Sequence, residues 1–188
     1  MTITIIALAV FALAVFSAIA VFNSLVTLRN RAQNAWRQID VQLRRRHDLI
    51  PNLVETVRGT MKFEQETLTG VIEARNRAVA ARDVRDKAVE EDQLTRALGR
   101  LFALAENYPQ LRSNANAMQL QEELVSTENR IAFARQLYND LATRYNITTE
   151  VFPSNLIARM ASFGRLELFE VPEEERTQVP QVNLGLKR

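Results

Sequence analysis

Residues 29–57, RNRAQNAWRQIDVQLRRRHDLIPNLVETV, read as one long helix around which the rest of the chain is organised. One set of residues recurs at alternating steps of four and three, the spacing of a helix that packs lengthwise on other helices. Only Arg46 interrupts the apolar character of this seam, which consists of Ala32, Trp36, Ile39, Leu43, Arg46, Ile50, Leu53 and Val57. No Gly or Pro separates the stretch from the apolar segment before it, which predicts one continuous rod that leaves a membrane and enters water.

Residues 3–22, ITIIALAVFALAVFSAIAVF, form a charge-free run of twenty residues. As a helix this run is ~30 Å long, the thickness of a bilayer core. A cleaved signal peptide is the alternative, because residues 18–20, Ala-Ile-Ala, have the small-x-small form that a signal peptidase prefers. However, no Lys or Arg precedes the run, and the first charged side chain is Arg29, which favours a retained single-pass anchor. The positive-inside rule then predicts that the rest of the chain lies on the cytoplasmic side.

The many helix-forming residues and the helical spacing of the apolar side chains predict an all-α fold. In this fold the anchor continues into a long antiparallel four-helix bundle. We expect the second helix at about residues 60–82, the third at about 93–107 and the fourth at about 114–146. The charged run at 83–92 is expected to be a solvated turn or helix end. The predicted divisions are 1–28 for the anchor, 29–150 for the bundle, and 151–188 for a short amphipathic helix with an extended tail.

Composition and motifs argue against an enzyme and against a nucleic-acid-binding protein. The formal net charge is +2, and the chain has no cysteine, so thiolate metal sites and disulfides are excluded. The one histidine, His47, lies beside the seam, where we expect a surface or interface side chain. The bundle's glutamates lack the Glu-x-x-His spacing of di-iron sites, and the few glycines do not cluster into a phosphate loop. We therefore expect no catalytic residue, metal or cofactor.

Arg46 and Glu128 are the candidates for a structural polar layer inside the bundle, together with Thr127. Thr127 is the hydroxyl exception in the apolar seam of the fourth helix. If Val57 is level with Ala117 in an antiparallel pair, Arg46 is level with Glu128. The register therefore predicts an ion pair that aligns two otherwise uniform apolar stripes; the alternative is that Arg46 reaches water.

The short helix after Pro153 is the candidate for an assembly or membrane contact. Its apolar face consists of Phe152, Leu156, Ile157, Met160 and Phe163. We expect this face to lack a partner inside a four-helix bundle and to contact a neighbouring subunit or the lipid interface. The alternative is that it folds back on its own bundle as a fifth core element. Pro172 and Pro180 favour an extended tail.

Four strings of the chain resemble those of the LemA family, and the resemblance extends over nearly the whole chain. They are LRNRAQNAWRQIDVQLRRRHDLIPNLVETV, ALGRLFALAENYPQL, QEELVSTENRIAFARQLYN and FPSNLIA. The resemblance implies a bacterial inner-membrane protein with one N-terminal span and a helical bundle. It also implies links to membrane remodelling in one organelle-forming branch, and to membrane stress responses and proteases. It supplies no catalytic residues.

Two functions fit these observations. The first is a homo-oligomeric scaffold that shapes the lipid bilayer. The second is an adaptor or regulator of another membrane protein, such as a protease. The scaffold is favoured because the chain offers contact surfaces at both ends and no motif for a particular client.

Overall fold

The computed structural model describes residues 1–171, whose regular structure is entirely helical. The all-α fold class is confirmed, with a long apolar N-terminal helix leading into a bundle. The helices are α1 (Thr2–Arg58), α2 (Gln65–Ala80), α3 (Val84–Ala105), α4 (Pro109–Arg112), α5 (Ala115–Glu150) and α6 (Ser154–Met160). The expected extended tail begins after the short amphipathic helix; its residues 164–171 are described and are not helical, and its residues 172–188 lie outside the described part of the chain.

Helix α1 is one uninterrupted rod of 57 residues. At ~1.5 Å per residue it is ~85 Å long, so its first third spans a bilayer core while the rest extends into water. Among the described residues it is the one helix long and apolar enough to cross a membrane, and its apolar window is not covered by the bundle. The helix continues through Pro51 and ends before Gly59, as the sequence predicts.

Helix α5 runs antiparallel to α1 and forms the second long element. It begins at Asn114, whose side-chain oxygen accepts hydrogen bonds from the backbone N–H groups of Asn116 and Ala117. This cap satisfies donors that have no partner within the first turn. The Trp36 and Tyr138 rings lie 5.3 Å apart between centroids, which fixes the register of the two helices.

The α2–α3 hairpin covers the α1–α5 pair at the end far from the anchor. Its apolar side chains join those of α1 in one core, including Ile50, Val54, Leu68, Val71, Leu94 and Leu101. Helix α3 starts at Val84, so the expected turn at 83–92 is wrong. Those residues extend α3 by more than two turns, because Ala88 and Glu91 continue the buried face that Leu94 and Leu98 begin.

Nearer the anchor, α6 and an extended segment cover the α1–α5 pair where the α2–α3 hairpin no longer reaches. We call this segment, residues 164–171, the strap. Its Phe169 is buried with Ile39, Ile131 and Tyr138 in a second core cluster. The α2–α3 hairpin thus covers one half of the α1–α5 pair, and α6 and the strap cover the half next to the anchor.

Candidate functional site

Arg46 is the centre of a buried polar layer that joins α1, α3 and α5. The residue is only 1% exposed. Its Nη1 lies 3.4 Å from Glu91 Oε2 and 3.1 Å from Glu128 Oε2, and its Nη2 donates to Thr95 Oγ1 at 2.6 Å. His47 Nε2 lies 2.7 Å from Glu91 Oε1. Arg46 and His47 therefore share the buried carboxylate of Glu91. The half-exposed carboxylate of Glu128 is the second acidic partner of the Arg46 guanidinium.

The layer lies between the two large apolar clusters of the bundle. Ile50 and Leu94 belong to the cluster on one side, and Ile39 and Ile131 belong to the cluster on the other. Because charged groups are costly to bury without partners, this layer can form only when the three helices are in register. The charge pairing of the layer is therefore tied to one register of the three helices, with only the Glu128 carboxylate reaching solvent.

The structure brings Arg46 and Glu128 together but leaves Thr127 out of their ion pair. The Thr127 hydroxyl donates to the backbone carbonyl of Glu123, one turn earlier on α5, at 2.7 Å. Its hydrogen-bonding need is therefore met within its own helix. Arg46 Nε is buried without a hydrogen-bond partner among the described residues.

Glu91 is the layer's central acceptor, a position that the apolar pattern of its helix does not predict. Because the neighbours of Glu91 are charged, its place on the buried face of the helix is not obvious. Counting back from Leu94 in steps of three residues nevertheless reaches Glu91 and then Ala88. Helical spacing through the charged run was the signal that could have located it.

His47 is buried, so the surface alternative of its expected position is wrong, and its ring lies at the interface between α1 and α3. Its hydrogen bond to Glu91 gives it a structural role. We expect His47→Gln to leave membrane insertion and particle mass in detergent unchanged, because the amide can still donate to Glu91. Size-exclusion chromatography with light scattering measures the mass. Loss of a cellular phenotype with fold and mass intact would show chemistry at His47 beyond this bond.

A second ion pair flanks the layer toward the anchor. Lys87 Nζ lies 3.1 Å from Asp40 Oδ1 and 5.6 Å from the centre of the Trp36 ring. Burial raises the pKa of Asp40, but its bonds to Lys87 and Arg44 outweigh that effect and hold the pKa below its usual value. This contribution to stability is present above the ordinary carboxylate pKa and is lost as the pH falls through the lowered value.

Helix α6 is held against the end of the anchor. The Phe163 ring lies 5.6 Å from the Phe22 ring and 6.4 Å from the Tyr145 ring, between centroids. Leu25 and Ala158 are buried in the same cluster. Phe22 is the last residue of the apolar run, so this cluster lies at the end of the apolar anchor segment.

The structure divides the predicted contact face of α6. Ile157 and Phe163 pack against α1 and α5, so the expectation that the whole face lacks a partner in the bundle is wrong for these two. Phe152, Leu156 and Met160 remain 78%, 52% and 84% exposed. The helix therefore uses one side to hold the bundle and presents three apolar side chains on the other.

Two Tyr-Asn pairs on α5 hold the backbone of the strap. Asn146 accepts from the Leu166 N–H and donates to its carbonyl, both at 2.8 Å. Asn139 does the same at Phe169, at 2.9 and 3.4 Å. Tyr145 donates to the Gly164 carbonyl and Tyr138 to the Glu167 carbonyl, each two residues before the strap residue held by the adjacent asparagine. The two pairs are seven residues apart on the helix and three apart on the strap, and both spacings are ~10 Å long.

The two tyrosines remain neutral donors. Burial raises the pKa of Tyr138, and the nearby Glu167 raises it further. Burial also raises the pKa of Tyr145, against a lowering effect of Arg29. Both hydroxyls therefore keep their protons at neutral pH.

Within residues 1–171, no group of three or more His, Asp or Glu side chains is placed to hold a metal ion.

The sequence matches the profile of the LemA family over residues 35–184. Protein LemA from Metamycoplasma hominis is 27% identical over 158 residues, which cover 84% of this chain and 72% of that protein. Magnetosome protein MamQ 2 from Paramagnetospirillum magneticum is 27% identical over 175 residues. Magnetosome protein MamQ from Magnetospirillum gryphiswaldense is 26% identical over 174 residues. Both matches cover 79% of this chain but only 64% of the magnetosome protein.

Proposed function

Because the chain belongs to the LemA family, we propose that it is a non-enzymatic scaffold, anchored in the bacterial inner membrane with its bundle in the cytoplasm. In this role it self-assembles and organises or remodels the bilayer. The observation that carries the proposal is the position of α6, whose exposed apolar side chains lie beside the end of the anchor. Two relatives named as magnetosome proteins support a role tied to a membrane structure.

Contact between Phe163 and Phe22 sets the depth of α6. Phe22 ends the apolar run, so α6 lies at the boundary between acyl chains and head groups. Amphipathic helices at this depth bury their apolar side chains parallel to the membrane surface. Leu156 and Met160 are therefore placed to enter the cytoplasmic leaflet beside their own anchor.

Basic side chains at the same level favour an anionic membrane surface. Arg29, Arg31, Arg159 and Arg165 are exposed around the base of the anchor. Each Lys or Arg near such a surface contributes about 1 kcal/mol of attraction. The chain would thus combine one span through both leaflets with one helix in the cytoplasmic leaflet alone. Many copies side by side would expand that leaflet and bend the membrane.

We expect Leu156→Glu with Met160→Glu to abolish reshaping of vesicles by the reconstituted protein. Two carboxylates cannot enter the acyl boundary without a large solvation cost. Electron microscopy of phosphatidylglycerol-containing vesicles measures the reshaping. Phe63→Glu is the matched control, because Phe63 is 94% exposed on the connection before α2, far from the anchor. Equal reshaping by both variants would contradict the proposal.

The depth of α6 has its own measurement, since the chain contains no cysteine. A dye on the cysteine introduced by Leu156→Cys should be quenched by lipid-borne quenchers. The same dye after Phe63→Cys should not be quenched. Equal quenching at both positions, or none at either, would place α6 outside the lipid interface.

A regulatory adaptor is the second candidate, and a groove at the end of the bundle far from the anchor favours it. The groove encloses about 660 Å³ between α1, α3 and α5, with mainly apolar walls that include Leu53, Leu101, Phe102 and Val125. Such a groove could take a client's helix. The mass of the detergent-extracted protein made alone separates the two functions. A large uniform particle supports the scaffold, and a monomer supports the adaptor.

A further inference from the structure

A second apolar groove runs along the α1–α5 pair, and these two helices alone form its walls. The strap, α6 and the α2–α3 hairpin contribute nothing to it. Val41, Phe133 and Leu137 stand 61%, 80% and 45% exposed along it, and Ala134 is buried in the same wall. Large apolar side chains gathered on one open surface mark an interaction site. We call this surface the open face.

The register of the two helices places the open face's apolar side chains at one level. Trp36 packs on Tyr138, and Arg46, ten residues further along α1, pairs with Glu128, ten residues earlier on α5. Midway between these contacts, Val41 is level with Phe133. The groove therefore has an apolar centre that one aromatic ring can fill.

We propose that the open face binds the same face of a second copy of this chain, forming a twofold dimer. This inference rests on the proposed function, in which copies of the chain assemble with one another. Both copies are anchored in the same direction, so a twofold axis between them runs along the membrane normal. Each residue then meets residues at its own level, and Phe133 of each copy enters the groove beside Val41 of the other.

Charges at the edges of the open face fit this pairing. Arg37 is level with Leu137, and Asp140 lies three residues further along α5, a distance of ~4.5 Å along the axis. Arg37 of one copy can therefore pair with Asp140 of the other. An apolar centre with a charged rim is the usual composition of a protein interface.

An unpaired buried acceptor in the groove also fits a second copy. Gln42 Oε1 has no hydrogen-bond partner among residues 1–171, although it is buried. Buried acceptors are rarely left unpaired in native proteins. A change of Gln42 rotamer would turn this oxygen toward the groove. The second copy's Arg130, two residues from the level of Gln42 and ~3 Å away along the axis, could then donate to it.

Membrane anchoring makes a modest interface sufficient. Two copies confined to one bilayer meet at a high effective concentration, which converts a weak contact in solution into a stable one. The anchors also exclude the antiparallel twofold arrangement, because in it the two anchors would point in opposite directions. One parallel geometry therefore remains.

Cysteine cross-linking in membranes tests the dimer. A short bifunctional maleimide should join the cysteines introduced by Leu137→Cys in the two copies, because these positions lie diagonally across the interface, whereas it should not join those from Val79→Cys. Val79 is a matched exposed position on α2, 51% exposed and outside the open face. Adding Phe133→Asp to Leu137→Cys should lower the cross-linked fraction about tenfold, the effect of losing an interface's aromatic anchor. Adding Phe63→Asp should leave it unchanged.

Two outcomes would overturn the dimer. One is equal cross-linking at positions 137 and 79, which would show random collision. The other is a cross-linked fraction that Phe133→Asp does not alter although the variant keeps its helical circular dichroism. Particle mass in detergent separates this failure from failure of the scaffold. A large particle with an unaffected Phe133→Asp variant would show assembly through another face. A monomeric wild-type particle in detergent, together with no specific cross-link at position 137 in membranes, would contradict both proposals.

Discussion

Arg46→Met is expected to lower the free energy of unfolding by about 3–5 kcal/mol, the usual cost of removing one partner from a buried ion pair. Glu91 would remain buried with only His47 beside it. Urea unfolding in detergent, followed by the fluorescence of Trp36 and by circular dichroism at 222 nm, measures the loss. Arg45→Met is the matched control, because Arg45 is half-exposed and lies 3.6 Å from Glu123. A surface pair of this kind contributes at most about 1 kcal/mol.

Double replacement identifies which carboxylate Arg46 depends on. Arg46→Met with Glu91→Leu should cost less than the sum of the two single changes, because the double variant leaves no unpaired charge from this pair. Arg46→Met with Glu128→Leu should show a weaker coupling, since the Glu128 side chain is 43% exposed and can be solvated alone. Strictly additive losses in both cycles would show that the layer contributes no pairwise energy.

Much of the fold could be predicted because helices dominate the chain and their seams are regular. The seam from Ala32 to Val57 established α1, and the matching seam in α5 established the antiparallel register. The Arg46–Glu128 contact followed from that register alone, since both positions depart from apolar character at the same level. Regular spacing is enough where each helix buries one continuous stripe.

The parts that could not be predicted depend on contacts between distant segments. Glu91 was missed because its neighbours are charged and only one of them turns inward. The extended form of the strap was predicted, but its docking on α5 was not, because an extended segment without periodicity carries no local signal of its partner. The Tyr-Asn repeats at 138–139 and 145–146 are visible in the sequence, but their meaning requires the position of Leu166 and Phe169.

Replacing both strap-binding asparagines is expected to release the strap from α5. Asn139→Ala and Asn146→Ala each remove two hydrogen bonds and leave a backbone N–H and a carbonyl of the strap unpaired. Each loss is expected to cost about 1–3 kcal/mol, the penalty for unsatisfied buried groups. Phe169 would then leave Trp36, which it contacts with ring centroids 5.5 Å apart. The expected result is a red shift of Trp36 emission and faster proteolysis after Arg165.

Asn129→Ala is the matched control for this release, since Asn129 is an exposed asparagine on the same helix.

High pH should reproduce the release in the wild-type chain. The folded pKa values of Tyr138 and Tyr145 are raised, so their contribution is complete below the ordinary tyrosine pKa of about 10 and is lost as the pH rises above it. If the asparagine variants keep the wild-type emission and cleavage rate, then apolar packing of Phe169 holds the strap without the Tyr-Asn pairs. If emission shifts and α6 detaches as well, the strap also fixes the helix that we place in the cytoplasmic leaflet. Vesicle reshaping should then fall as it does for Leu156→Glu with Met160→Glu.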